Sequence, residues 1–384
     1  MIYIALKMLV GDRLKYLSLV AGLSFAALLV TQQASIFAGY ALRTGAWVRD
    51  TNQFDLWVMD SQSEFTESNM QMLDSALPRV RGVGGVAWAV PMYKSYLTAR
   101  LPDGRLQTVR LIGLDDASMI GGPPTFTHNS LASLREDRSI VINAEDAGDQ
   151  LLVNRGTPAA RPLVPGDVIA INEHEARVVG LYQKSPEFFW EPVIYTTYTR
   201  ALLMAPPERR QLSFVLVKVS DGRDVAAVQA AITEATGLKV WTADEFESAT
   251  MKYVLDKTGI LINFGMTIAL GFVIGVLVSG QTLFTFVHDN LRYFAALKAM
   301  GAGSWMLVRM VFMQVLAVGG IGYGVGLGAA ALTGLGFARV GLAFEMHWTI
   351  PIAGAMAILV CCCTAAAISL RRVLTLEPAV VFKS

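Results

Sequence analysis

The chain has 384 residues, 53% of them hydrophobic, and only 16% are Asp, Glu, Lys or Arg, against about 25% in an ordinary soluble domain. Its 32 basic and 31 acidic side chains nearly balance, but they are unevenly placed: Tyr16–Leu42, Thr258–Val287, Met310–Ala338 and His347–Leu370 contain none. This distribution excludes a purely soluble enzyme and a disordered chain.

In chain order, residues 1–15 mix Ile4, Leu6, Leu9 and Val10 with Lys7, Asp12, Arg13 and Lys15, the pattern of an amphipathic helix lying on a membrane surface. Residues 16–42 form the first expected transmembrane helix, since about 20 apolar residues cross a hydrocarbon core. The run is too long for the apolar part of a cleaved signal peptide and no small-residue cleavage site follows it cleanly, so an uncleaved anchor is expected.

Residues 43–257 carry 22 basic and 27 acidic side chains, a net of −5, so nothing supports a nucleic-acid partner. They contain no cysteine, and therefore no disulfide frame. Phe54–Met59 reads as a strand and Asn69–Leu77 as a helix. Val86–Arg100 and Arg105–Gly113 read as a hairpin across the turn residues Pro102–Asp103–Gly104. Ser139–Asn143, Asp167–Asn172 and Ala176–Leu181 are short strand candidates. Arg155–Pro165 and Met204–Arg210 are Pro-rich and read as loops. Phe214–Val219, Val225–Thr236 and Lys239–Thr242 alternate strand, helix and strand. The expected result is an α+β domain with a β-rich insertion at about 130–185.

Residues 258–287 form the second expected span, 306–338 the third and 347–370 the fourth, with an outer loop at 339–346 and a tail at 371–384. Between spans two and three, in 288–305, Leu291, Phe294, Ala295 and Leu297 recur at helical spacing, and Gly301 is placed to cap the C-terminus. This helix needs a partner, either the headgroup layer or a cytoplasmic protein. Lys7, Arg13, Lys15, Arg292, Lys298, Arg309, Arg371, Arg372 and Lys383 flank one side of the spans, and Arg339 alone marks the other. Positive charge stays inside, which places both termini in the cytoplasm and 43–257 outside. The expected fold class is thus an α-helical membrane protein of four spans with an interfacial helix and an inserted outer domain.

Signals for chemistry are sparse. His128 and His174 are isolated, Asp115–Asp116 sit at a strand end, and there is no nucleophile elbow and no H-E-x-x-H. The three cysteines, Cys361–Cys363, are consecutive in the fourth span and read as packing residues. No phosphate-binding G-x-x-x-x-G-K-[ST] occurs, so any ATP is hydrolysed by another subunit. The polar residues within the spans, Gln32, Gln33, Asn263, Gln281 and Gln314, are not ionisable, which argues against an ion relay. Gly320, Gly324 and Gly328, interleaved with Gly322 and Gly326, allow close helix packing, either within the chain or between two copies.

FDLWVMD (Phe54–Asp60), LIGLDDASMIGGPP (Leu111–Pro124), VVG (Val178–Gly180), YTTYTRA (Tyr195–Ala201), AALKAMGA (Ala295–Ala302) and the closing Glu377–Pro378–Ala379 give the chain a family likeness. It resembles the permease subunits of MacB/FtsX-type ABC transporters, and within them the DevC type. The resemblance implies a MacB-like periplasmic core domain, a bacterial inner-membrane location and a homodimer. It implies a separate ABC ATPase binding ATP and Mg, with no cofactor in this chain. It further implies a periplasmic adaptor (membrane fusion protein) and a TolC-like outer-membrane channel, exporting a hydrophobic or lipid-like substrate by mechanotransmission. The segment 288–305 would be the coupling helix, with Arg292, Phe294, Leu297, Lys298, Met300 and Gly301 meeting the ATPase. Many relatives carry an acidic residue where this chain has Tyr293–Phe294. A haem exporter of the HrtB type, using Glu345, Met346 and His347, or a lipoprotein-releasing permease is the alternative within the superfamily. A membrane-anchored ligand sensor or scaffold is the alternative outside it.

Overall fold

The computed structural model describes residues 11–374 apart from Asn69. The interfacial helix expected over 1–15 therefore falls mostly outside the described residues, as does the Glu377–Pro378–Ala379 motif of the tail. The chain divides into two units: Leu42–Thr258, and a helical unit of the residues up to Ala41 and from Gly259 onward. Its longer helices are α1 (Arg13–Thr44), α2 (Val225–Thr236), α3 (Ala243–Lys257), α4 (Ile260–Asp289), α5 (Leu291–Ala299), α6 (Ser304–Arg339) and α7 (Thr349–Leu374).

In the helical unit, α1, α4, α6 and α7 are long and apolar enough to cross a membrane, and they match the four charge-free stretches. Small residues set how closely they approach. A Cβ placed on Gly275 of α4 would lie 2.6 Å from Ala26 Cβ of α1, and one on Gly322 of α6 would lie 2.8 Å from Leu23 Cβ. One on Gly326 would lie 2.6 Å from Ala27 Cβ, and one on Gly319 2.6 Å from Cys362 Sγ of α7. Backbones this close gain dispersion contacts that larger side chains would block, which is how helices associate without a hydrophobic drive in lipid. Cys361 and Cys362 are buried in this packing, as expected of small apolar residues. Lys15 near the start of α1 pairs with Asp289 at the end of α4 at 2.5 Å.

The other unit is built on one ten-stranded sheet. In chain order the strands are β1 (Leu56–Met59), β2 (Val86–Arg100), β3 (Leu106–Leu114), β4 (Thr125–His128) and β5 (Ser139–Asn143). They continue as β6 (Val168–Ile171), β7 (His174–Gln183), β8 (Val193–Thr197), β9 (Phe214–Val219) and β10 (Lys239–Thr242). Their spatial order is β10-β1-β9-β2-β3-β8-β5-β7-β4, with β6 paired to β2 and β7. β1 runs antiparallel to both β9 and β10, so the expected strand–helix–strand unit is a split βαβ with β1 between its strands.

The hairpin β2–β3 pairs in register from Met92↔Leu114 to Arg100↔Leu106, and Gly104 at φ +83° closes its turn. Trp57 centres an aromatic core, with ring centroids 4.8 Å from Phe54, 5.1 Å from Trp47, 5.4 Å from Phe246 and 5.5 Å from Phe214.

One expectation is corrected. The helix read at Asn69–Leu77 lies instead at Ala76–Arg81. Met72 donates its backbone N–H to Leu212 O at 2.7 Å, which draws the preceding segment into an extended bridge. Within the β-rich segment 130–185, β5 and β7 join the common sheet through β8, a strand the sequence reading missed. α3 was also missed, although Thr242 and Glu245 form a capping box at its start.

Candidate functional site

Two groups of residues stand out, one in each unit. The first is the short helix α5. Asn290 ends α4, its Nδ2 donating to Phe286 O at 2.8 Å, and its own carbonyl accepts from the N–H groups of Tyr293 and Phe294 at 3.0 and 3.2 Å. At the other end Gly301 N–H donates to Lys298 O at 3.1 Å and Ala302 N–H to Leu297 O at 3.0 Å, with Gly301 at φ +92°. This is a Schellman cap, and glycine at its left-handed position avoids the Cβ strain of any other residue.

α5 has two faces. Phe294 is fully buried and Ala295 nearly so, with Leu291 and Leu297 packed against the same helical core. Arg292, Tyr293, Ala296, Ala299 and Met300 are exposed, Met300 at 76%. Of the six residues assigned to ATPase coupling, Phe294 and Leu297 therefore face their own helices. Arg292 and Met300 face outward, Lys298 is half-buried, and Gly301 shapes the cap. Tyr293, which the sequence reading marked only as a departure from relatives, stands on the outward face at 63% exposure.

The glycines of α6 also divide. Gly322 and Gly326 hold the contact with α1, whereas Gly320, Gly324 and Gly328 meet nothing within 4 Å at a Cβ position among the described residues.

The second group is a buried charge network in the unit carrying the sheet. Glu67, from the loop after β1, sits 2.7 Å from Lys94 Nζ on β2 and 2.9 Å from Arg110 Nη1 on β3. Tyr96 donates its hydroxyl to the other Glu67 oxygen, and Lys94 also donates to Thr66 O. Arg110, 1% exposed, turns its second guanidinium nitrogen to Glu187, which Lys184 approaches at 3.2 Å. Asp146 lies 3.9 Å from Lys184. Lys94 Nζ also stands 4.4 Å from the centre of the Trp47 ring, a cation–π contact.

Three cations thus meet three carboxylates. Burial alone would push the Glu67 carboxyl up, but Lys94 and Arg110 outweigh it and hold the group down at about 2. Burial pushes the Lys94 ammonium down to about 8, opposed by Glu67. The Arg110 guanidinium loses hydration on burial, yet Glu187 and Glu67 hold it more firmly protonated. None of these groups is paired with a nucleophile. The geometry fastens the Thr66–Ser68 loop and the 184–191 loop to β2 and β3. The members are far apart in sequence, so no spacing signal announced them.

His128 and His174 are exposed on strand ends. Among the described residues no group of three or more His, Cys, Asp and Glu side chains could hold a metal. His347 Nδ1 lies 3.2 Å from Thr349 Oγ1, and Glu345 donates its backbone N–H to Ser35 O at 3.0 Å.

Residues 20–235 match the family described as MacB-like periplasmic core domain, and residues 265–378 match FtsX-like permease C-terminal. Among solved structures, the extracellular domain of the noncanonic ABC-type transporter YknZ from Gram-positive bacteria is 14% identical. That match covers 49% of this chain and 98% of that one, with a TM-score of 0.35. The periplasmic region of MacB from Actinobacillus actinomycetemcomitans is 13% identical over 55% of this chain and 96% of that one, with a TM-score of 0.36. No curated protein matches. The two domain matches carry the assignment: the chain belongs to the family of permeases with a MacB-like periplasmic core and an FtsX-like C-terminal domain.

Proposed function

We propose that this chain is the membrane permease subunit of an ATP-driven ABC exporter, of the DevC type. It transmits the motion of a separate ATPase to its periplasmic domain, which works with an adaptor and a TolC-like outer-membrane channel on a hydrophobic or lipid-like substrate. It sits in a bacterial inner membrane with both termini cytoplasmic and acts as a homodimer. ATP and Mg are bound by the partner ATPase, and this chain brings no cofactor.

The observation that carries this reading is α5, a helix capped at its C-terminus and held between two apolar helices, with an inner face fixed in their core. A helix anchored in this way moves with α4 and α6 when its outer face is pushed. Arg292, Tyr293 and Met300 supply that outer face, and Phe294 and Leu297 pass the displacement inward. The periplasmic core receives it through a sheet whose loops are fastened by Arg110 and Lys94, so a displacement at one strand is not lost in slack connections.

The test is co-purification of the full chain with a candidate ATPase. Met300→Asp, which changes only the exposed face, is expected to lose the ATPase while the permease still elutes as a folded species. Unchanged ATPase recovery with Met300→Asp and with Arg292→Glu would overturn the docking assignment.

A further inference from the structure

Within the helical unit, α4 gives way to α5 across a single residue. Asp289 ends α4, and Asn290 is at once its C-cap and the residue from which α5 starts. A displacement of α5 is therefore handed to Asp289 first. The Asp289 carboxylate accepts from Lys15 Nζ, near the start of α1, at 2.5 Å. We propose that this pair is the tie that makes α1 follow α5, with Lys15 and Asp289 as positioning residues for the transmission. The inference rests on the permease reading given above.

The order of the elements shows why such a tie is needed. The periplasmic core is inserted between α1 and α4, so the chain enters it from α1 and leaves it into α4. A push on α5 reaches α4 along the backbone, but it reaches α1 through contacts across space. Along most of their length those contacts are apolar. A Cβ on Gly22 of α1 would lie 2.6 Å from Val278 Cγ1 of α4, and one on Gly271 of α4 would lie 3.0 Å from Leu29 Cβ of α1. Leu19 of α1 and Leu283 and Phe286 of α4 are buried in the same core. Dispersion contacts are individually small and re-form after a short slide, so they resist separation more than axial displacement. An ion pair fixes one atom of each helix to the other.

Neither charge suits its own helix. A cation in the first turn of α1 and an anion in the last turn of α4 both oppose the helix dipoles, and each offsets that cost by meeting the other. The tie is also built to open. Lys15 Nζ lies 2.7 Å from Asp12, whose other carboxylate oxygen accepts the Lys15 backbone N–H at 3.3 Å and caps the start of α1. When Lys15 releases Asp289 it keeps Asp12, and the Asp289 side chain, 47% exposed, turns to water. No charge is stranded in a dry site, so the pair can break and re-form within a working cycle.

The experiment uses the full chain in phosphatidylcholine vesicles, with Cys361, Cys362 and Cys363 replaced by Ala. Spin labels are carried on Leu14→Cys and Ala299→Cys, exposed positions of α1 and α5. Losing one exposed ion pair is expected to raise the population with separated labels by about two- to fivefold. Asp289→Asn and Lys15→Met should each broaden the distance distribution in this way, and Lys15→Arg should keep it narrow. Exchanging the charges, Lys15→Asp with Asp289→Lys, should restore the original width, since the dipoles favour that arrangement. Asp12→Ser, which keeps a capping hydroxyl and removes the competing charge, should leave the width unchanged. Single variants without effect, or broadening by Asp12→Ser equal to that by Asp289→Asn, would overturn the tie. Asp289→Asn should still recover the ATPase in co-purification, because the outward face of α5 is intact. Loss of the ATPase there would make the pair part of the docking surface and overturn its role in transmission. If the wild type recovers no ATPase, the permease reading and the transmission role fall together, while the label distances still decide whether α1 and α5 are tied.

Discussion

The helical unit and the periplasmic core solve the same packing problem with opposite materials. Around α1 the buried side chains are apolar, chiefly Leu, Ala, Val, Phe and Cys, and the close approaches are made by Gly275, Gly322 and Gly326. Among the described residues, its buried polar side chains, such as Thr31, Ser35, Ser279 and Gln314, are all uncharged. The periplasmic core instead buries Lys94 and Arg110 against Glu67 and Glu187. An ion in hydrocarbon must be neutralised by a neighbouring helix or reach the interface, whereas a folded sheet can assemble a network of six charged groups. The helices thus hold together by shape and the core domain partly by charge complementarity, so the two should fail under different substitutions.

The largest effect is expected at Arg110. Arg110→Met removes the cation shared by Glu67 and Glu187 and leaves the three carboxylates of the network with only Lys94 and Lys184, at a cost of about 3–5 kcal/mol. Chemical denaturation of the full chain should show the loss in the transition of the core domain, with the helical signal preserved. Replacing Glu67, Lys94, Arg110 and Glu187 together by apolar residues of similar volume, which leaves Lys184 with Asp146, should restore much of it, since what destabilises is the unpaired charge.

Gly326→Leu should cost about 1–3 kcal/mol, or more where the helices cannot separate, because its side chain would enter the α1 backbone. Gly324→Leu, on the open face, should leave the unfolding of the single chain unchanged and reduce only cross-linking between copies. If both substitutions act alike, the division of the α6 glycines is wrong.

Gly301→Ala forces a side chain into a left-handed position and should cost about 1–2 kcal/mol, read as fraying of α5 and weaker ATPase recovery.

The smallest and most specific test is pH. The Glu67 carboxyl is held at about 2, below its ordinary 4.5, so its contribution is complete above about 4.5 and lost as the pH falls toward 2. The Lys94 ammonium is lowered from 10.5 to about 8, so the unfolded chain binds the extra proton between those values and stability rises with pH across that window. Denaturation midpoints of wild type and Lys94→Met should therefore diverge in slope above pH 8. Parallel curves would show that Lys94 is not desolvated.

Much was legible from local signals. The four charge-free stretches became α1, α4, α6 and α7 within a few residues, because excluding charge over about 20 positions is a demand the lipid makes residue by residue. The β2–β3 hairpin, the β9–α2–β10 unit and the Gly301 cap were readable for the same reason, since turn and cap chemistry act over a few neighbours. The missed β8 is short, and α3 is a polar helix of low apolar contrast despite its capping box.

Composition and pattern alone thus determined which segments avoid water, where the short helix between α4 and α6 ends, and that the outer domain mixes strands with helices. Only the tertiary structure decided that Phe294 turns inward while Met300 turns outward, and that Gly322 rather than Gly320 meets α1. It alone brought Glu67, Lys94, Arg110 and Glu187 together from four separate parts of the chain. Hydrophobic periodicity and cap residues act between neighbours in sequence, whereas an ion pair or a helix contact is set by distance in space, which no spacing along the chain encodes.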